Sequence, residues 1–209
     1  MNCHSVDSSL ILQGSEDLFV RIWDIRDSSG RPATVLSGYI YFPVCMDMNV
    51  DGYTLATGCK GFDNIGCEVK LWDLRVPSAS FRDLRAHGQD VTCCQFLSNK
   101  DNGQQQQFLL SASKDGSLIA WASPWDSDLQ KGSYQVGNAI SSFNILKNAP
   151  IIPIPQSEND RRKDTGSGVE QGTTVAIAAN DGSLHFVDFN EKFQFRHLHS
   201  TSAYNPVIS

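Results

Sequence analysis

The chain has 209 residues, of which 40 % are hydrophobic and 19 % charged, so it can bury a real core as one large domain or two small ones. The formal net charge is −6 and its basic residues gather in no stripe, which argues against nucleic-acid binding through phosphates. No apolar run approaches the roughly 20 residues that span a bilayer. Met1-Asn2-Cys3-His4-Ser5 also lacks the positive flank and apolar stretch of a signal peptide, so the expectation is a cytoplasmic protein.

Taken in chain order, the elements are short strands. Leu10-Ile11-Leu12 precedes a turn at Ser15-Glu16-Asp17-Leu18, and Val20 and Ile22 then alternate up to Trp23-Asp24. Met46-Asp47-Met48-Asn49 and Tyr53-Thr54-Leu55 flank Asp51-Gly52. Lys60 to Gly66 then stands where a tight turn is expected, before Glu68-Val69-Lys70-Leu71-Trp72-Asp73. Asp83-Leu84-Arg85 and Val91 to Phe96 bracket Ala86-His87-Gly88. Phe108-Leu109-Leu110 leads through Ser113-Lys114-Asp115-Gly116 to Trp121, and Val175-Ala176-Ile177 leads through Asn180-Asp181-Gly182 to Phe186-Val187-Asp188. The apolar alternation has the period of two that strands require. Asp115-Gly116 and Asp181-Gly182 suit the positive backbone angles of a two-residue hairpin turn. No segment of ten or more residues carries a helical period, so the class is all-β.

These segments repeat. Trp23, Trp72 and Trp121 are spaced 49 residues apart, and Asp17, Asp115 and Asp181 each lie six residues before the Trp position of their unit. The second unit breaks the pattern with its long turn, and the fourth carries Val187 where the others carry Trp. A strand closed by Trp-Asp, an Asp-Gly turn before it and a His after a small residue resemble the WD repeat. That resemblance covers essentially the whole chain and implies a β-propeller of four-stranded blades packed face to face. It also implies a hydrogen-bonded chain of His, Ser or Thr, turn Asp and Trp that locks each blade. The third unit matches best, with His87, Ser111 (or Ser113), Asp115 and Trp121; the others match in part through Asp17 and Trp23, Trp72, and Asp181. Gly61-Phe62 and Gly66-Cys67-Glu68 ahead of Leu71-Trp72-Asp73-Leu74-Arg75 resemble a cilium-linked branch of the family.

The units divide the chain into blades at residues 1–41, 42–90, 91–138 and 139–209, the first with a short or missing opening strand. Residues 98–107, ending in Gln104 to Gln107, read as a polar insertion in the third blade. Residues 151–172, with Pro153, Pro155 and the charged run Glu158 to Asp164, read as one in the fourth. Both are expected to be mobile, solvent-facing loops. Propellers of this family usually close with seven blades. Four therefore predict an incomplete propeller: the C-terminal portion of a longer one, a truncated product, or a half that needs a partner.

No constellation for catalysis stands out: G-x-S-x-G, G-x-x-x-x-G-K-[ST] and His-Glu-x-x-His are all missing from the sequence. The six cysteines form no C-x-x-C pair and read as small core hydrophobes, with no cofactor or metal implied. His197-x-His199 has the spacing that places two side chains on one face of a strand. The expectation is a non-catalytic scaffold with other proteins as partners. A sharper hypothesis rests on Trp23-Asp24-Ile25-Arg26 and Trp72-Asp73-Leu74-Arg75. These resemble the W-D-x-R motif by which WD-repeat substrate receptors dock on the adaptor of cullin-4 ubiquitin ligases. Arg26 and Arg75 would present planar forks suited to carboxylates or carbonyls. An Arg at this place also occurs simply as a solvated loop end.

Overall fold

The computed structural model describes residues 3–5, 9–101, 104–122, 130–146, 173–190 and 192–202. It holds four antiparallel sheets, each a meander of four strands in chain order. The first contains β1 (Cys3–Ser5), β2 (Leu10–Gly14), β3 (Val20–Asp24) and β4 (Thr34–Leu36). The second contains β5 (Pro43–Met48), β6 (Thr54–Cys59), β7 (Val69–Asp73) and β8 (Arg82–Leu84). The third contains β9 (Val91–Asp101), β10 (Gln104–Ser113), β11 (Ser117–Trp121) and β12 (Gln130–Gln135). The fourth contains β13 (Ile140–Leu146), β14 (Thr173–Ala179), β15 (Ser183–Phe189) and β16 (Phe195–Ser202).

The core lies between the sheets, because successive side chains of a strand point to opposite faces and the inner strands carry apolar residues on both. Leu12, Val20, Ile22 and Leu36 of the first sheet pack with Met46, Met48, Leu55 and Trp72 of the second. On the other face of the second sheet, Ala56, Val69, Leu71 and Leu84 meet Val91, Leu109, Ile119 and Trp121 of the third. Leu110, Leu118 and Ala120 of the third then meet Ile140, Phe143, Val175, Ile177 and Val187 of the fourth. Trp72, Trp121 and Val187 therefore face the preceding sheet, and each sheet acts as one blade in a stack.

Buried thiols contribute to these interfaces as small apolar groups. Cys45 Sγ lies 3.6 Å from Cys94 Sγ between the second and third blades. The contact with Cys45, together with burial, pushes the Cys94 thiol upward. Burial raises Cys93 to about 11.

Three expectations are corrected here. The hairpins at Asp115-Gly116 and Asp181-Gly182 carry three-residue loops, not two. Gly116 N–H reaches Ser113 O at 3.1 Å and Gly182 N–H reaches Ala179 O at 3.1 Å, with the left-handed angle confined to the glycine of each pair. A normal β-turn followed by one left-handed residue gives the same chain reversal. Residues 98–101 and 104–107 are not a loose loop: Gln104 to Gln107 pair in register with Asp101 to Ser98, extending the β9–β10 ladder. Polar side chains do not prevent this, since the ladder is made by the backbone. The insertion at 151–172 lies outside the described residues. Finally, His197 and His199 do not share a face. His197 pairs with Val187 and His199 with Phe186, because a bulge takes up Leu198 between them.

Candidate functional site

The third blade assembles a complete polar lock. Strand pairing sets Trp121 opposite Leu109 and Ile119 opposite Ser111 on one face of the sheet, so the indole reaches over the serine two residues along. Trp121 Nε1 donates to Ser111 Oγ at 2.8 Å, and Ser111 Oγ stands 2.7 Å from His87 Nε2. His87 Nδ1 stands 2.8 Å from Ser117 Oγ, which donates to Asp115 Oδ1 at 2.5 Å. The Asp115 carboxylate is 3.7 Å from His87 Nδ1, so it acts on the ring through Ser117.

The two ends fix the direction of the chain. An indole N–H can only donate and a carboxylate can only accept. Ser117 Oγ must then donate to Asp115, so the proton between it and His87 stands on Nδ1, while Ser111 Oγ accepts from Trp121. Asp115 also accepts from the Gly88 N–H at 2.7 Å and the Ser117 N–H at 2.8 Å. Burial alone would raise its carboxyl, but the hydrogen bonds from the His87 side, Ser117 and Gly88 outweigh it and hold it well below the usual range. Ser113, the alternative to Ser111, instead donates to Gln89 O at 3.2 Å.

The other blades modify this plan at matching positions. In the second, Trp72 Nε1 donates to Thr57 Oγ1 at 3.1 Å, and Tyr39 stands where His87 does, its hydroxyl 3.1 Å from the same Thr57. Thr57 Oγ1 passes the chain to Lys70 O at 3.4 Å, and Gly66 stands six residues before Trp72, where the third blade has Asp115. In the first blade Trp23 Nε1 donates to Gln13 Oε1 at 2.8 Å. Asp17 is not joined to it: both its oxygens hold the Arg21 guanidinium, at 3.2 and 2.6 Å. In the fourth blade Val187 and Ile177, both fully buried, replace Trp and Ser together. Asp181 there accepts from Asn138 Nδ2 at 2.7 Å and Ser183 Oγ at 2.6 Å.

Sequence reasoning missed Ser117, Thr57, Tyr39 and Gln13. The signal was a count: Tyr39 follows Leu36 by three residues as His87 follows Leu84. Thr57 precedes Trp72 by 15 residues, against 10 from Ser111 to Trp121, because the second turn is longer. That turn has its own anchorage. Asn64 N–H donates to Gly88 O at 3.1 Å and Gly61 N–H to Asp90 Oδ1 at 2.9 Å, tying it to the entry of the third blade. Also missed was Lys70, buried between Glu68 at 3.3 Å and Asp83 at 2.9 Å.

Arg26 and Arg75 sit at the opposite end of the strands from these turns, both exposed and in one repeated geometry. Arg26 Nε and Nη2 donate to the two oxygens of Asp24 at 2.9 and 2.7 Å; Arg75 does the same to Asp73 at 2.9 and 2.7 Å. Each fork is therefore engaged by the Asp of its own W-D-x-R. The Arg26 bond draws Asp24 down to about 2. Arg75 additionally lies 3.7 Å over the Tyr53 ring. Among the described residues no group of three His, Cys, Asp or Glu could hold a metal ion.

Four-stranded meander sheets stacked face to face, the third of them pinned by a complete Trp-to-Asp polar chain, are consistent with the blades of a WD-repeat propeller. Residues 78–122, which hold the complete lock, match the family model for the WD domain, G-beta repeat. Among curated proteins, the nuclear distribution protein nudF of Aspergillus niger is 31 % identical over 119 residues, 56 % of this chain and 24 % of that protein. Restriction of telomere capping protein 1 of Kluyveromyces lactis is 23 % identical over 97 % of this chain and 14 % of its own length. The nuclear distribution protein PAC1 of Yarrowia lipolytica is 26 % identical over 54 % of this chain and 24 % of its own length. The chain thus spans about a quarter or less of each of these relatives.

Proposed function

We propose that this chain is a non-catalytic scaffold that holds other proteins through the loops at the ends of its blades. The observation that supports it is an apolar patch at the irregular turn of the second blade. Ile40, Tyr41, Phe62 and Ile65 are all exposed, Phe62 at 74 %. A Cβ on Gly66 would fall 2.4 Å from the Tyr41 ring, so the two loops that carry the patch touch. Exposed large apolar side chains brought together in this way are characteristic of binding surfaces. The test is affinity capture with quantitative mass spectrometry, comparing wild type with a Phe62→Glu, Ile65→Glu variant. Proteins retained by the first and lost by the second are expected; identical capture refutes the reading.

A second reading concerns the opposite end, where Ile25, Val50 and Val76 are exposed beside Arg26 and Arg75. Two arginines repeated in one geometry with apolar neighbours support docking on the cullin-4 ligase adaptor, each Asp holding its Arg in place. Capture of that adaptor by wild type and its loss in an Arg26→Ala, Arg75→Ala variant are expected; equal capture, or none, removes the idea. A cytoplasmic, cilium-associated setting is proposed from the second unit's likeness to WD repeat-containing protein 31. Ciliary localisation of a tagged protein is the expected result, and a purely diffuse signal counts against it.

A further inference from the structure

The loops that carry Arg26 and Arg75 repeat beyond the arginine. Each joins the third strand of its blade to the fourth, over residues 25–33 and 74–81, and both open with the same turn. Ile25 N–H donates to Ser9 O at 2.9 Å and Leu74 N–H to Tyr53 O at 2.8 Å. Asp27 N–H then reaches Asp24 O at 3.0 Å, and Val76 N–H reaches Asp73 O at 2.9 Å. Three residues after each arginine stands a serine, Ser29 and Ser78, again 49 residues apart, and both are exposed. Among the described residues no backbone-to-backbone hydrogen bond falls within residues 28–32 or 77–80, so these stretches can straighten without breaking a ladder. One other described hydroxyl follows an arginine by three residues: Thr34, after Arg31, whose backbone is fixed in β4 opposite Ile22.

We propose that Ser78 and its repeat Ser29 are phosphorylation sites of a serine/threonine protein kinase that reads the arginine three residues before the acceptor. A guanidinium offers a planar fork to the carboxylates by which such a kinase selects a basic substrate. Asp73 and Asp24 already hold that fork through both oxygens, and an exposed pair of this kind is weak enough to be exchanged for another. In the transfer the serine Oγ attacks the γ-phosphorus of MgATP. The bond from that phosphorus to the bridging oxygen of ADP breaks, and the hydroxyl proton passes to the kinase's catalytic aspartate. The two acceptors are not equally ready. Ser29 Oγ donates to Asp27 Oδ2 at 2.9 Å and accepts from the Arg31 N–H at 3.2 Å, whereas nothing among the described residues holds the Ser78 hydroxyl. Each phosphate adds about −1.5 to −2 charges at an end of the blades where one carboxylate now balances one guanidinium, and turns that end acidic.

The test is phosphorylation of the folded chain by the catalytic domain of calmodulin-dependent protein kinase with MgATP, the sites and their rates read by tandem mass spectrometry. Phosphate is expected on Ser78 first and on Ser29 more slowly, with Thr34 unlabelled. Arg75→Gln is expected to slow labelling of Ser78 by about tenfold or more and to leave Ser29 as it was; Arg26→Gln does the converse. Unfolding would bare both serines and speed their labelling, so a loss confined to one of them is not a folding effect. Asp73→Asn keeps the oxygen that accepts the Arg75 N–H while releasing the guanidinium, and is expected to speed labelling of Ser78 by up to about fivefold. A chain that leaves Ser78 or Ser29 without phosphate overturns the proposal, and so does labelling of Ser78 at a rate that Arg75→Gln does not change. Labelling of Thr34 as fast as Ser78 also overturns it, because the loop would then contribute nothing.

Discussion

Ser111→Ala removes the one oxygen that accepts from Trp121 Nε1 and serves His87 Nε2. Both partners are only 3 % exposed, and neither has water to turn to. An unmatched buried polar group costs about 1–3 kcal/mol, so two cost about 2–6 kcal/mol together. That is a large part of the roughly 5–15 kcal/mol by which a domain is stable. Ser111→Thr keeps the hydroxyl, as Thr57 does in the second blade, and is expected to recover most of the loss. The assay is urea unfolding followed by Trp fluorescence, with the midpoint read at constant slope. If Ser111→Ala cost no more than the roughly 0.5 kcal/mol of an ordinary surface change, the chain would not be a lock. Equal damage by Thr and Ala would also refute the reasoning.

Acid sensitivity follows from Asp115. Its folded carboxyl lies below its unfolded value of about 3.8, so it contributes stability above that pH and loses it as pH falls through the folded value. Asp115→Asn is therefore expected to flatten the fall in melting temperature below about pH 4, which thermal scans across acid pH will show. Lys70→Met leaves Glu68 and Asp83 facing a buried site without their cation and is expected to cost about 3–5 kcal/mol in urea unfolding. A neutral result would mean that the two carboxylates find other partners. Leu18 is exposed and holds φ 68°, at the place where Gly116 and Gly182 stand in other blades. Leu18→Gly is expected to raise stability by about 0.5–1 kcal/mol, the left-handed strain relieved less the entropy that glycine adds to the unfolded chain. A lowered melting temperature would count against it.

The strands were legible because two independent periods coincide in this sequence: the alternation within strands and the 49-residue spacing of the tryptophans. The lock of the third blade was legible for the same reason, its His, Ser, Asp and Trp standing at family spacing. What escaped were substitutions that keep a role while changing the residue. Tyr39 and Gln13 do not look like His and Ser, and only the strand register shows that they occupy those places. Ser117 escaped because a hydroxyl beside a turn Asp reads as turn chemistry, which it also performs through its own N–H. The histidines of β16 were misplaced by one residue, since a bulge leaves no mark in a short polar strand. Lys70 escaped because a charged residue between Val69 and Leu71 carries no mark of burial, which its two carboxylate partners make tolerable.

The fourth blade shows why such a fold accepts these departures. Removing Trp alone would orphan a buried hydroxyl, and removing Ser alone would orphan a buried indole N–H. Changing both to Val187 and Ile177 removes donor and acceptor together, which is close to neutral when the volume is filled. The condition is that the blade's two positions change as a pair. The same logic explains the second blade, where loss of the turn Asp accompanies a Tyr in place of His, so that the polar chain ends on Lys70 O and no histidine is left without its carboxylate. Its longer turn is then released from the lock. Gly88 and Asp90 anchor its backbone instead, and that leaves Phe62 and Ile65 facing outward. Exposure of the patch is thus a consequence of the broken repeat. A variant that shortens residues 60–66 to an Asp-Gly turn is expected to preserve the blade while abolishing capture of any protein bound there. Retained capture would place the binding surface elsewhere.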